Sequence, residues 1–424
     1  MKKVLIFIFL ITSGLMAQIG NPGEDSKSFA LPNFFMDVLS NKGEQAGKTR
    51  LDFYMQVPFS SVQFVKNGDS FTAAYNVTLT IFDENKENIF YDQNWVERLK
   101  TESFEEANSP YSSNYSQRSI DLKPGKYSLY CSVEDLDSKK LSFSEATLNV
   151  RGFSDSLEIS DALLVEQIIK DNSGEQLIPN VSRIITTKTR ELPLYFEIYS
   201  NSSRKVTLEY TLKDKLDTLL YKFEEEKELV KGTNKIFVTL KESKFILGEI
   251  RIGINIRAED KILKSYIKVI NGRIYGLPLS IVSLDDAIDQ MAYIAGGATI
   301  SFIKETPDND ERIKKFFDFW DEKKPFPNVE DNPVMKEYYK RVDYSNRHFK
   351  GTPAGWKSDM GMVYIILGPP DMVERQPMPA DSHPYEIWSY SRLNRQYIFY
   401  DVNGFGSYRL QNPDYDLLNG AGIR

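Results

Sequence analysis

The chain has 424 residues, 41% of them hydrophobic, and a formal net charge of -7. That length suits two or three folded domains, and the apolar share excludes wholesale disorder. The acidic balance disfavours a nucleic-acid partner, and the single Cys131 excludes an internal disulfide.

The first residues, "MKKVLIFIFLITSGLMA", join two lysines, an apolar run and a small residue at Ala17. This is the layout of a secretory leader, expected over residues 1–17. Its apolar core is shorter than the ~20 residues a membrane-spanning helix needs. No Cys follows Ala17, so a lipoprotein anchor is not expected, and cleavage takes the charge to about -9. The protein is expected to be exported, periplasmic or extracellular, with no transmembrane segment. Residues 18–48 read as a flexible N-terminal segment with one apolar knot, "FALPNFFMDVL".

Residues 49–150 alternate with period two in "TRLDFYMQVPF", "SFTAAYNVTLTIFD", "NIFYDQNW", "SQRSIDL", "GKYSLYCSVED" and "LSFSEATLNV". Tyr127, just after the Pro124-Gly125 turn, resembles the tyrosine corner of immunoglobulin-like sandwiches. Cys131 alternates with Leu129 and Val133, which predicts a buried, inert thiol. Residues 151–282 repeat this pattern. "GKYSLYCSVEDLD" aligns with "GEIRIGINIRAED", and "VTLTIF" from Val77 parallels "VTLEYT" from Val206. Two tandem immunoglobulin-like β-sandwiches are the predicted fold.

At Ser283 the period changes to that of a helix. "SLDDAIDQMAYIAGGATISFIKE" puts Leu284, Ile288, Met291, Ala295, Ala298 and Phe302 on one face, with Ser283 as N-cap and a bend or close backbone packing expected at Gly296-Gly297. A second helix is predicted from a Thr306 cap, with Pro307 in its first turn and an aromatic stripe of Phe316, Phe317 and Trp320. A third begins at Asn332-Pro333. Residues 283–350 thus form a helical connector. In 351–424, "GMVYIILG", "YEIWSYS", "QYIFYDV" and "SYRLQN" are read as four strands of a small antiparallel sheet in an α+β unit.

"GWKSDMGMVYIILGPPD", followed by "YEIWSY" and "YIFYDVNGFGSYRL", resembles the GWxTD domain of exported bacterial proteins. Gly355, Trp356 and Asp359 stand at the motif positions, Ser358 replaces its Thr, and Met360 stands where the family has Arg. "LDDAIDQMAYIA", "FFDFW" and "EYYKRVDYSNRHF" resemble the family's helical lead-in; "IPNVSR" and "LPLYFEIYSN" resemble its preceding sandwich. The resemblance brings no catalytic residue with it.

Other chemistry leaves little trace. His348 and His383 lack metal-ligand spacing, and there is no nucleophile elbow, Walker loop or dinucleotide fingerprint. No cofactor and no metal is expected; "DND" at Asp308 and "DVNG" at Asp401 are incomplete as calcium loops. The leading expectation is a non-catalytic envelope protein that binds or scaffolds another envelope or secreted protein. Gly355, Trp356, Ser358, Asp359, Trp388 and Tyr390 would form its recognition surface. The competing structural role makes Trp356 a plug beneath the sheet, with Ser358 and Asp359 pinning the turn. Two other functions stay open. One is glycan or peptide binding by the first sandwich, with Tyr111 and Tyr115 near Trp95. The other is a hydrolase drawing on Asp371, Glu374, Glu386 and Asp401.

Overall fold

The structure is a computed structural model that describes residues 34–107, 109, 112–171, 174–241, 247–259, 261–326, 331–349, 354–376, 383–402 and 406–411. The predicted leader lies outside the described residues, as does Tyr111. The chain is mainly β, with its helices gathered toward the C-terminus.

The first unit opens with a correction. Part of the predicted flexible segment is a strand, β1 (Phe35–Lys42), paired along its length with β2 (Thr49–Pro58). Its period is obscured because both faces are covered: Met36 enters the core, while Asp37 and Leu39 meet the second unit. There follow β3 (Val65–Asn67), β4 (Ser70–Asp83), β5 (Ile89–Thr101), α1 (Phe104–Ala107), β6 (Ser113–Leu122), β7 (Gly125–Asp135) and β8 (Leu141–Val150). One sheet has the order β1-β2-β6. In the other, β4 pairs with β3, β5 and β7, and β7 pairs with β8. Phe53, Leu79, Ile81 and Cys131 pack between them, and burial raises the pKa of the Cys131 thiol. The Tyr127 hydroxyl donates to the Lys123 carbonyl at 2.9 Å.

The second unit comprises β9 (Glu158–Ile159), β10 (Leu163–Asp171), β11 (Gly174–Pro179), β12 (Ile184–Thr186), β13 (Glu191–Ser200), β14 (Arg204–Asp214), β15 (Leu219–Leu229), β16 (Gly232–Lys241), β17 (Gly248–Ala258) and β18 (Lys261–Arg273). Its pairings repeat the first unit's: β15-β14-β17-β18 matches β5-β4-β7-β8, and β10-β13-β16 matches β1-β2-β6. Pairing corrects the sequence alignment by two residues. Leu79 faces Cys131, but it is Tyr210, not Leu208, that faces Ile254. With that shift the irregularities coincide, at Ile81/Phe82 and Leu212/Lys213. The turn aspartates coincide too: Asp83 accepts from the amides of Glu87 and Asn88, Asp214 from those of Leu216 and Thr218. A two-residue slip keeps every side chain on its own face, so alternation alone does not reveal it.

The two units meet through Leu39, Leu163 and Val165, with Tyr54 and Tyr195 at their edge. Beside this apolar contact, Lys268 pairs with Asp37 at 2.8 Å, both side chains about 95% buried, and Arg183 lies 3.8 Å from the same carboxylate.

The helices are α2 (Leu284–Asp289), α3 (Gly297–Lys304), α4 (Asn309–Asp321), α5 (Pro333–His348) and α6 (Asp359–Leu367). Ser283 caps α2 and Asn332 caps α5, as the sequence predicts. The first predicted helix breaks at Gly296, and Phe302 points to solvent instead of joining the apolar face. Asp308, not Thr306, caps α4, because its carboxylate accepts the Glu311 amide at 2.8 Å. Ile288, Met291, Phe316, Trp320, Tyr338, Tyr339 and Val342 form one core. The terminal sheet has the order β19 (Met372–Gln376), β20 (Tyr385–Tyr390), β21 (Arg395–Asp401) and β22 (Tyr408–Leu410).

"GMVYIILG", read as a strand, is α6 instead. It is buried on every side: Ile365 joins the helical core, while Met360, Val363 and Ile366 join Trp388 and Phe399 beneath the sheet. A helix apolar all round shows neither period, so composition misleads. Arg341 of α5 caps it by donating to the Ile365 and Ile366 carbonyls, and Gly368 ends it with φ 84°. Through α6 the helices and the terminal sheet pack as one body. No helix among the described residues is long and apolar enough to cross a membrane.

Candidate functional site

The Gly-Trp-Lys-Ser-Asp corner links α5 to α6 by a 3₁₀ turn, Gly355–Lys357. Two glycines let backbone touch backbone there. A Cβ on Gly355 would lie 2.1 Å from the Ser345 carbonyl oxygen, and one on Gly361 would lie 1.9 Å from that of Gly355. Ser358 caps α6: its Oγ accepts the Gly361 amide at 3.0 Å and donates to the Gly355 carbonyl at 2.6 Å. Asp359 accepts the Leu410 amide at 2.8 Å, pinning the last strand to the corner, with Arg409 3.7 Å away.

Trp356 is half-buried. Its amide donates to Asn346 Oδ1 at 3.0 Å, its carbonyl accepts the Tyr293 hydroxyl at 3.0 Å, and its ring meets that of Tyr293 edge-on. Burial, and then the nearby Asp359 charge, push the Tyr293 pKa up to about 12. Trp388 and Tyr390 are core residues, 3% and 5% exposed. Trp388 packs against Phe349 and Phe399, and the Tyr390 hydroxyl donates to the Gly368 carbonyl at 2.9 Å. Of the six residues selected from sequence, Gly355, Trp356, Ser358 and Asp359 build the corner, with Trp356 against the helical core, while Trp388 and Tyr390 lie in the core beneath the sheet. Neither Trp388 nor Tyr390 offers its ring to solvent.

Beside the corner lies a cleft of about 450 Å³, between the ends of α5 and α6 and the face of the sheet. Tyr344 stacks on His348 at 3.8 Å and on Tyr364 at 4.3 Å, building an aromatic wall. His348 Nδ1 donates to the Tyr344 carbonyl at 2.9 Å. On the sheet side, Glu386 accepts from Arg375 Nε at 2.9 Å and from Trp388 Nε1 at 3.1 Å. Tyr408 and Arg409 close the far side. Burial, then the Glu386 and Asp401 charges, raise the Tyr408 pKa. The cleft therefore joins apolar ring surface to one fixed carboxylate and two largely exposed guanidinium groups. That composition suits binding.

Sequence reasoning missed most of this lining. Tyr344 and His348 stand four apart on α5, a spacing that puts two rings on one helical face and was available as a signal. Arg375 and Arg409 gave none, since pairing across the sheet is what brings them here. Of the singled-out carboxylates, Glu386 lines the cleft; Asp371 accepts the Ser391 amide and Asp401 those of Gly406 and Ser407. In the first unit, the Arg118 guanidinium lies 4.3 Å over the Trp95 ring, while Tyr115 reaches Glu166 in β10. No contact between the Trp95 and Tyr115 rings is seen among the described residues.

The fold and corner define a β-rich chain ending in a module of helices and a small sheet joined by a glycine-packed Trp turn. Residues 278–417 match the GWxTD domain family, so this part of the chain is a GWxTD domain. The match begins ahead of α2, so it takes in the helices as well as the sheet. No curated protein matches the sequence. Among solved structures, red sea bream transglutaminase is similar at 8% identity over 56% of this chain and 31% of its own, with a TM-score of 0.18. A glycosyl hydrolase family 2 member from Bacteroides cellulosilyticus follows at 8% identity over 53% and 28%, TM-score 0.20. A putative beta-galactosidase from Bacteroides fragilis has 10% identity over 52% and 32%, TM-score 0.20. The chain spans about a third of each of those proteins, and likeness at that level bears on no function.

Proposed function

We propose that this is an exported, non-catalytic envelope protein in which two immunoglobulin-like sandwiches carry a GWxTD unit that binds another envelope or secreted protein. The sandwich reading draws support from the Tyr127 corner and from the pairing order repeated in the two units. The binding reading rests on one observation, the cleft beside the corner, where an aromatic wall faces Arg375, Glu386 and Arg409. Recognition moves from the Trp356 corner to this neighbouring surface, and the corner becomes its support.

The test is crosslinking in intact cells with the full chain, a truncation at Lys350 and the double variant Arg375→Ala/Arg409→Ala. Both arginine side chains are more than half exposed, so their removal should leave the fold intact. A partner captured by the full chain and lost in both altered forms is the expected result. Equal capture by all three would move the binding site out of the GWxTD unit.

A further inference from the structure

Among the described residues, the terminal sheet has an open edge next to the cleft. β19 forms one end of the sheet, paired only with β20 among the described residues, and all five of its residues are exposed. Met372 and Val373 are 57% and 38% exposed, so the edge is partly apolar. Chains usually guard such edges with charge, as β15 does with Glu224, Glu225, Glu226, Lys227 and Glu228; β19 carries only Glu374 and Arg375. On β19, Val373 faces Trp388 and Arg375 faces Glu386 across the ladder, and all four line the cleft. The outer edge of β19 and the cleft are therefore one continuous surface.

We infer that β19 accepts an extended segment of a partner protein as a fifth strand, whose alternate side chains enter the cleft. This rests on the partner-binding reading above and specifies its chemistry. Backbone pairing along an edge supplies affinity without sequence preference, and the pockets under every second residue supply specificity. Charge complementarity fixes the occupant. Arg375 Nε is engaged by Glu386, while the exposed end of its guanidinium offers donors beside the edge; Arg409, on the opposite edge strand β22, faces Asp359 across 3.7 Å. The aromatic wall of Tyr344 and Tyr364 takes an apolar side chain. The segment is thus an apolar residue and an acidic residue two apart, in an extended run without proline.

The test uses the full mature chain and a displayed library of random octapeptides. Enriched sequences should show the apolar-x-acidic spacing and a depletion of proline, which cannot donate to an edge. On saturation with the best peptide, amide exchange over residues 372–376 should slow by about tenfold or more. Replacing the peptide's acid by its amide should weaken binding about tenfold. N-methylation of alternate peptide amides should abolish binding in one phase and spare it in the other. Equal binding by both methylated phases, or protection confined to α5 and α6, would overturn strand addition and leave partner binding through the cleft standing. No enriched peptide, with a cellular partner still dependent on Arg375 and Arg409, would also overturn it, in favour of a folded surface. Loss of that dependence as well would remove both readings.

Discussion

Replacing Gly361 by Ala adds one methyl group where the new Cβ would lie 1.9 Å from the Gly355 carbonyl oxygen. Ordinary contact begins near 3.4 Å, so the corner must open by roughly 1.5 Å. Neither partner can yield as a flexible side chain would, because the contact is between backbones. Overpacking of this kind costs about 1–3 kcal/mol, and the displaced Ser358 cap adds about 1 kcal/mol. In an open helix the same change would stabilise by about 1 kcal/mol, so the structure reverses the sign given by propensity. Gly297 is the control: nothing lies within 4 Å of its Cβ position, and it opens α3. Urea unfolding followed by tryptophan fluorescence reports mainly on this region, since Trp320, Trp356 and Trp388 lie in it and only Trp95 does not. With a slope of about 2 kcal/mol/M, Gly361→Ala should lower the midpoint by roughly 1.5 M. Gly297→Ala should leave it level or raise it slightly. A Gly361→Ala midpoint equal to the parent's, or an equal fall in both variants, would refute the reasoning.

Two further outcomes follow from the charges. Asp37→Asn leaves Lys268 and Arg183 buried without their shared carboxylate, and should cost about 3 kcal/mol or more. Lys268→Met should cost less, since Arg183 still faces Asp37; thermal melts of the two variants check that order. Glu209 is held down to about 2, against an ordinary 4.5, chiefly by hydrogen bonds from Lys222 and then Asn255. A depressed carboxylate adds stability above its unfolded pKa and loses it as pH falls from about 4.5 toward 2. Half-exposed Lys222 is screened by solvent, so the gain is on the order of 1 kcal/mol. Glu209→Gln should flatten the acid limb of a stability-versus-pH curve in that window, and an unchanged limb would count against the network.

How legible the molecule was in its sequence depended on how its surfaces are covered. β4, β7 and β17 bury one face fully, so their alternation shows plainly in the residues. β1 and α6 are covered on more than one side, so their periods vanish, and "FMDVL" and "VYIIL" read as something else. Local signals would have helped with α6. Ser358 ahead of an acidic residue, and Gly368 before Pro-Pro, mark a helix start and stop more firmly than the intervening composition marks a strand. β19 gave the opposite difficulty, because a fully exposed strand carries no pattern at all. The cleft stayed hidden for a different reason: its walls come from α5, α6 and three strands, joined only by tertiary packing. The aromatic residues that drew notice, Trp388 and Tyr390, are what the cleft is built upon.

The pair between Asp37 and Lys268 spans 231 positions of the chain. Asp37 lies in the first unit and Lys268 in the last strand of the second, so the pair needs both units in place. β18 covers this charge in the folded chain, where both side chains are about 95% buried. The junction therefore ties the seam to the register of the second unit, because only the β17–β18 pairing seen here sets Lys268 where it can meet Asp37.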